Sequence, residues 1–174
     1  MSQKITVLGT RGIPDVQGGV ETHCQNLYPA IKKQFDMDIC VIARSPYVSY
    51  KQTYYKNVET YSLWAPKRSL EAIVHSFLAT LRTCFDGSDI VHVHAIGPGL
   101  LVPLLRVLGK KVVFTHHGPD YDRQKWGRLA KRVLQLGEKV AVKYANEVIV
   151  ISEVINQLIR TKHCRDDAHL IYNG

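Results

Sequence analysis

Apolar positions along the chain follow two rhythms. Short runs rich in β-branched residues recur at 5–8, 38–43, 58–63, 90–94, 111–115, 147–151 and 169–171, the length and composition of buried strands. Between most of them, apolar residues return every three or four positions over 21–33, 69–84, 98–108, 126–144 and 153–161, which predicts helices. Strands alternating with helices predict an α/β fold, a Rossmann-like parallel sheet with helices on both faces. Right-handed crossovers then bring the loops that follow each strand to one edge, where open α/β sheets bind ligands. Residues 45–57, rich in tyrosine, follow neither rhythm and read as an exposed irregular excursion.

Composition narrows the class. A chain of 174 residues with 45% hydrophobic and 22% charged content has the size to bury one good core, at most a domain plus a fragment. The apolar stretch 95–108 is interrupted by Gly97-Pro98-Gly99, Pro103 and Arg106, so no segment spans a bilayer, and a cytoplasmic location is expected. Cys24, Cys40, Cys84 and Cys164 form no C-x-x-C pair and read as reduced core thiols. The formal charge of +8 calls for an anionic partner: nucleotide, diphosphate, nucleic acid or membrane surface. No nucleic-acid motif is present, so nucleic acid is not expected.

Gly9-Thr-Arg-Gly-Ile-Pro-Asp-Val-Gln-Gly-Gly-Val-Glu-Thr22 joins the first strand to the first helix. It lacks both the dinucleotide spacing G-x-G-x-x-G and the Gly-Lys-Ser/Thr of a P-loop. Gly18 and Gly19 nevertheless put a backbone without Cβ at a helix N-terminus, where free N–H groups meet anions. Glu21 falls in the first helical turn.

His92 and His94 alternate with valines on one strand, and His116 and His117 end the next. With no acidic or thiol ligand at metal spacing, they read as loop-bonding or packed histidines, and no metal is expected. In Thr115-His-His-Gly118, the glycine lets the chain turn at once and sends His117 into the crevice. Ser152 is placed to cap the last helix. On the helix over 126–144, Arg128, Lys131, Arg132, Lys139 and Lys143 share a face at about 100° per residue. Trp126, Leu129, Ala130, Val133, Gly137, Val140, Ala141 and Tyr144 share the other, with Glu138 as the local offset to the cations. That cationic stripe suggests an anionic membrane surface as partner, held electrostatically.

Five segments together resemble the N-terminal half of a GT-B glycosyltransferase of family 4, the retaining, nucleotide-sugar-dependent class. They are Gly18-Gly-Val-Glu21, Asp89-Ile-Val-His-Val-His94, Thr115-His-His-Gly118, Glu147-Val-Ile-Val-Ile-Ser152 and Ile171-Tyr-Asn-Gly174. The opening Leu8-Gly-Thr-Arg-Gly-Ile-Pro14 and the stretch 122–141 are similar to bacterial rhamnosyltransferase-like enzymes of capsule and exopolysaccharide assembly. The resemblance implies Gly18 and Gly19 beside the donor diphosphate, His117 against the transferred sugar as the catalytic-site histidine, and an acceptor site in the loops of this half. Arg11, Glu21, His94, Tyr121 and Arg123 are the acceptor candidates. The implied substrates are a nucleotide-sugar donor and a glycan or polyprenyl-diphosphate-linked acceptor, with no cofactor.

The family's second Rossmann-like domain, with its Arg/Lys pair and E-x7-E, has no counterpart in residues 1–174. The expectation is an acceptor-side domain, inactive without a donor domain to stabilise the leaving diphosphate. Two alternatives stand beside it. A non-enzymatic basic module that binds anions or membranes would use the same charge. An NAD-dependent oxidoreductase would need an acidic residue after the second strand, where Arg44 stands.

Overall fold

A computed structural model of the chain describes residues 3–66, 71–122 and 127–173. It is an α/β protein that divides into two compact units, residues 1–92 and 93–174.

The first unit holds β1 (Gln3–Leu8), α1 (Gly19–Gln34), β2 (Met37–Arg44), β3 (Gln52–Tyr55), β4 (Val58–Leu63), α2 (Glu71–Arg82) and the start of β5 (Ile90–His94). Its strand order is β3-β4-β2-β1-β5. β1 and β2 run parallel with Ile5 opposite Ile39 and Val7 opposite Val41, and β4 continues the parallel set. Ile5, Val7, Ile39, Val41 and Val58 close over Ile13, Cys24 and Tyr28 to form the core. The 45–57 stretch is not irregular throughout. It contains β3, which pairs antiparallel with β4, through a two-residue turn in which Lys56 and Asn57 both take positive φ. That backbone is the hairpin geometry usually supplied by Asn-Gly, so Lys-Asn concealed it.

The second unit continues β5 into β6 (Lys111–His116), β7 (Glu147–Val150) and β8 (His169–Leu170), in the order β5-β6-β7-β8. β6, β7 and β8 are parallel. The helix expected over 98–108 is a 3-10 turn at Pro98–Leu101 followed by α3 (Val102–Val107). Each piece carries a proline in its first two positions, Pro98 and Pro103, which suits a first turn and interrupts a continuous helix. α5 (Glu153–His163) is capped by Ser152, whose Oγ accepts from the Ile155 N–H at 3.3 Å.

The longest helix, α4 (Arg128–Tyr144), lies against the 96–101 segment with almost no side chain between the two backbones. A Cβ on Gly137 would overlap the Ile96 carbonyl oxygen, and one on Gly99 would sit 2.9 Å from the Ala141 Cβ. The buried face is Gly137, Glu138, Ala141 and Val142. The expected apolar face is therefore rotated: Leu129 is 77% exposed and Tyr144 44%. Arg128, Arg132, Lys139 and Lys143 are exposed, as the periodicity requires. The cysteines are all free, but only Cys24 and Cys40 are core thiols; Cys84 and Cys164 are exposed.

Candidate active site

The residues singled out by the sequence fall into two constellations, one in each unit. In the first unit the 9–18 loop is organised by an ion pair. Glu21, 5% exposed, accepts from the Arg11 backbone N–H at 2.9 Å and from its Nε at 3.2 Å. Arg11 Nη2 also donates to the Gln17 carbonyl at 2.7 Å, and the guanidinium lies 5.5 Å from the Tyr47 ring centroid. Burial pushes the Glu21 carboxyl up, but hydrogen bonds from Arg11 outweigh it and hold the group below the ordinary carboxylate value.

Gly18 owes its lack of a side chain to this pair. Its φ is +150°, and a Cβ there would strike Arg11 Nη2 and Glu21 Oε2. Gly19 differs: it begins α1 without positive φ and faces open space. Helix α1 has no side-chain cap at its N-terminus, and its positive end lies at Gly19, where an anion is favoured.

In the second unit, His94 is fully buried, with Nδ1 at 2.9 Å from His117 Nε2 and the two rings 5.2 Å apart. One of those nitrogens carries the shared hydrogen. His116, also fully buried, has other partners: its Nδ1 accepts from the Gly118 N–H at 3.0 Å and its Nε2 lies 3.2 Å from Glu138 Oε2. Glu138 Oε1 receives Lys162 Nζ at 2.6 Å and His163 Nε2 at 2.7 Å from α5. Burial opposes the charge on Glu138, yet hydrogen bonds from His116, Lys162 and His163 drive its carboxyl far below the ordinary range. Lys162 also donates to Tyr121 Oη at 2.8 Å.

Several sequence-predicted residues are thus turned inward. Glu21 serves Arg11, His94 serves His117, and Tyr121, 7% exposed, serves Lys162. Arg11 and His117 keep partial exposure, and Arg123 lies outside the described residues. His92, in the first unit, is packed: its Nδ1 meets Tyr28 Oη at 2.9 Å. Among the described residues no group of three His, Cys, Asp or Glu could hold a metal ion.

Glu138, expected from the periodicity as a local offset to the α4 cations, is instead the buried hub of the second unit. The available signal was its neighbourhood: Gly137, Ala141 and Val142 make a small-residue seam in which a carboxylate needs buried partners. At the end of β2, Arg44 binds Glu71 at 2.9 Å.

Residues 17–174 match the model of Glycosyltransferase Family 4. The chain belongs to that family. Family 4 membership sets aside the oxidoreductase and supports a transferase over a purely binding module. No curated protein sequence matches the chain. Among solved structures, a sucrose-phosphate synthase from Thermosynechococcus elongatus superposes with TM-score 0.80 at 17% identity, over 98% of this chain and 48% of that one. A second structure of that synthase gives TM-score 0.64 at 14% identity, over 98% and 87%. LpCGTa in complex with UDP gives TM-score 0.55 at 9% identity, over 99% and 51%. These likenesses establish the fold, a Rossmann-like half of the GT-B kind. This family 4 chain spans about half the length of the first synthase chain.

Proposed function

We propose that this family 4 chain is the acceptor-side half of a retaining glycosyltransferase that moves a sugar from a nucleoside-diphosphate donor to a glycan or polyprenyl-diphosphate-linked acceptor. Rhamnosyl-type transfer in capsule or exopolysaccharide assembly is the reading of the Leu8–Pro14 and 122–141 segments. The observation that carries the proposal is the held histidine: His117, partly exposed just after β6, is bonded at Nε2 to the buried His94. A histidine fixed in this way can meet a sugar hydroxyl at low entropic cost. The open backbone at Gly19 gives the donor diphosphate a place to approach. A sucrose-phosphate synthase and a UDP complex among the structural neighbours support a nucleotide-sugar donor. In this reading the donor's nucleotide is clamped by a partner domain, and the 174-residue chain alone transfers no sugar.

The reading extends to the membrane. The first turn of α4 carries no acid but presents Arg128 and Lys131, with Arg132 just beyond it, and the two in the first turn oppose the helix dipole at a cost of a few tenths to about 1 kcal/mol each. Such a local conflict is expected where a surface serves a partner. Leu129 and Leu136, 77% and 53% exposed, stand among these cations, so contact with an anionic leaflet would combine charge with shallow insertion. This revises the purely electrostatic attachment expected from the sequence. No helix among the described residues is long and apolar enough to cross a membrane.

The test is transfer by the product of the complete reading frame, assayed with nucleoside-diphosphate sugars and undecaprenyl-diphosphate-linked glycan. Product formation supports the proposal; binding of vesicles without binding or turnover of any nucleotide sugar would favour the basic module.

A further inference from the structure

The buried carboxylate of Glu138 does more than join α4 to α5. Its Oε2 faces His116 Nε2, while the other ring nitrogen of His116 accepts the Gly118 N–H. A nitrogen that accepts an N–H carries no hydrogen, so the ring hydrogen sits on Nε2, where the carboxylate takes it. The carboxylate thus selects the tautomer, and the tautomer supplies the acceptor that grips Gly118. Gly118 is the turning residue after His117, at φ +119° with open space around its missing Cβ. His117 is in turn bonded to His94.

Packing alone does not call for this arrangement. Glu138 is fully buried, and its two oxygens take Lys162, His163 and His116. Burying a carboxylate among cations is often no better for stability than apolar packing of the same volume. What the ionic version adds is a fixed hydrogen position on the His116 ring, whose other nitrogen is one hydrogen bond from Gly118.

We propose that Glu138 is a positioning residue: acting through the His116 ring, it fixes the backbone at Gly118 and thereby the direction of the His117 imidazole. The use made of that imidazole rests on the glycosyltransferase reading, but the positioning does not, and its test needs no turnover.

The experiment is long-range proton–nitrogen NMR on the protein labelled with nitrogen-15, with amide exchange at Gly118 followed in the same samples. Wild type should show His116 as a single tautomer, hydrogen on Nε2. In Glu138→Gln the single tautomer should be lost, the His117 ring resonances should move, and Gly118 exchange should rise about tenfold, the scale of one lost hydrogen bond. A second pair covers the case in which Glu138→Gln does not fold. His116→Asn offers an oxygen near the position of Nδ1 and should retain slow Gly118 exchange, whereas His116→Phe should not. A Glu138→Gln protein with lowered stability but unchanged His116 tautomer, His117 shifts and Gly118 exchange would make Glu138 a structural residue only. Equal Gly118 exchange in His116→Asn and His116→Phe would overturn the proposal in the same way.

Discussion

Replacing Gly137 with alanine should weaken the protein although alanine is the better helix former. A Cβ at 137 overlaps the Ile96 carbonyl oxygen and comes within 3.2 Å of Leu100 Cγ. The first of these is backbone, so the helix must move rather than a side chain turn. Overpacking of this kind costs about 1–3 kcal/mol. Because α4 shifts as a body, Glu138 moves with it and its charge-assisted bond to His116 weakens, worth about 1.5–3 kcal/mol if lost. Helix propensity returns about 1 kcal/mol. The expected net loss is about 2–4 kcal/mol, a fall of roughly 1–2 M in the urea midpoint at an ordinary slope. Gly97→Ala is the control at the same seam. Its backbone is already right-handed helical and its Cβ would meet only Leu134 at 3.7 Å, so it should gain about 0.4–1 kcal/mol. Urea unfolding followed by far-ultraviolet circular dichroism reads both. A Gly137→Ala protein as stable as wild type would mean that α4 does not rest on the 96–101 backbone and that Glu138 is not held as described.

Other expectations follow from single contacts. His75 is fully buried, with Nε2 at 3.0 Å from the Ala43 carbonyl, and burial lowers its pKa to about 4. A folded value below the ordinary one of about 6.5 means that stability present above pH 6.5 is lost as pH falls toward 4, by about 3 kcal/mol at most. His75→Gln should flatten stability over that window, leaving the loss from Glu21 and Glu138, both held below the carboxylate range, to begin under about pH 4.3; an unchanged slope between pH 6.5 and 4 would refute this. Gly18→Ala should destabilise the protein by forcing Arg11 and Glu21 apart at a positive φ, whereas Gly19→Val, set in open space, should melt as wild type while weakening donor use; the reverse order in thermal melts would show the loop to be misassigned. Changing Arg128, Arg132, Lys139 and Lys143 to glutamine should abolish sedimentation with anionic liposomes at low salt, and Leu129→Ser with Leu136→Ser should reduce what binding survives at high salt. Equal pelleting of wild type and the quadruple variant would leave that helix face merely solvated.

The strands were legible because their apolar runs are short, β-branched and bounded by turn residues, and the order of motifs carried the family. The helix face of α4 was not, because its apolar residues cover more than half the circumference: Leu129 and Leu136 compete with Leu134, Ala141 and Val142, and only packing against Gly99 decides between them. β3 was hidden by a Lys-Asn turn. The histidines were legible as a group but not in their roles, since alternation along a strand says which residues share a face and not which ring nitrogen meets which partner. Glu138 was invisible as a hub because His116, Lys162 and His163 are distant in sequence.

The most direct measurement compares wild type and His117→Ala of the complete protein in steady-state transfer from a nucleoside-diphosphate sugar, with melting temperatures taken on the same preparations. If His117 faces the transferred sugar, kcat falls by at least about tenfold while the melting temperature changes little. Transfer at the wild-type rate by the variant would contradict the account and remove His117 from the site.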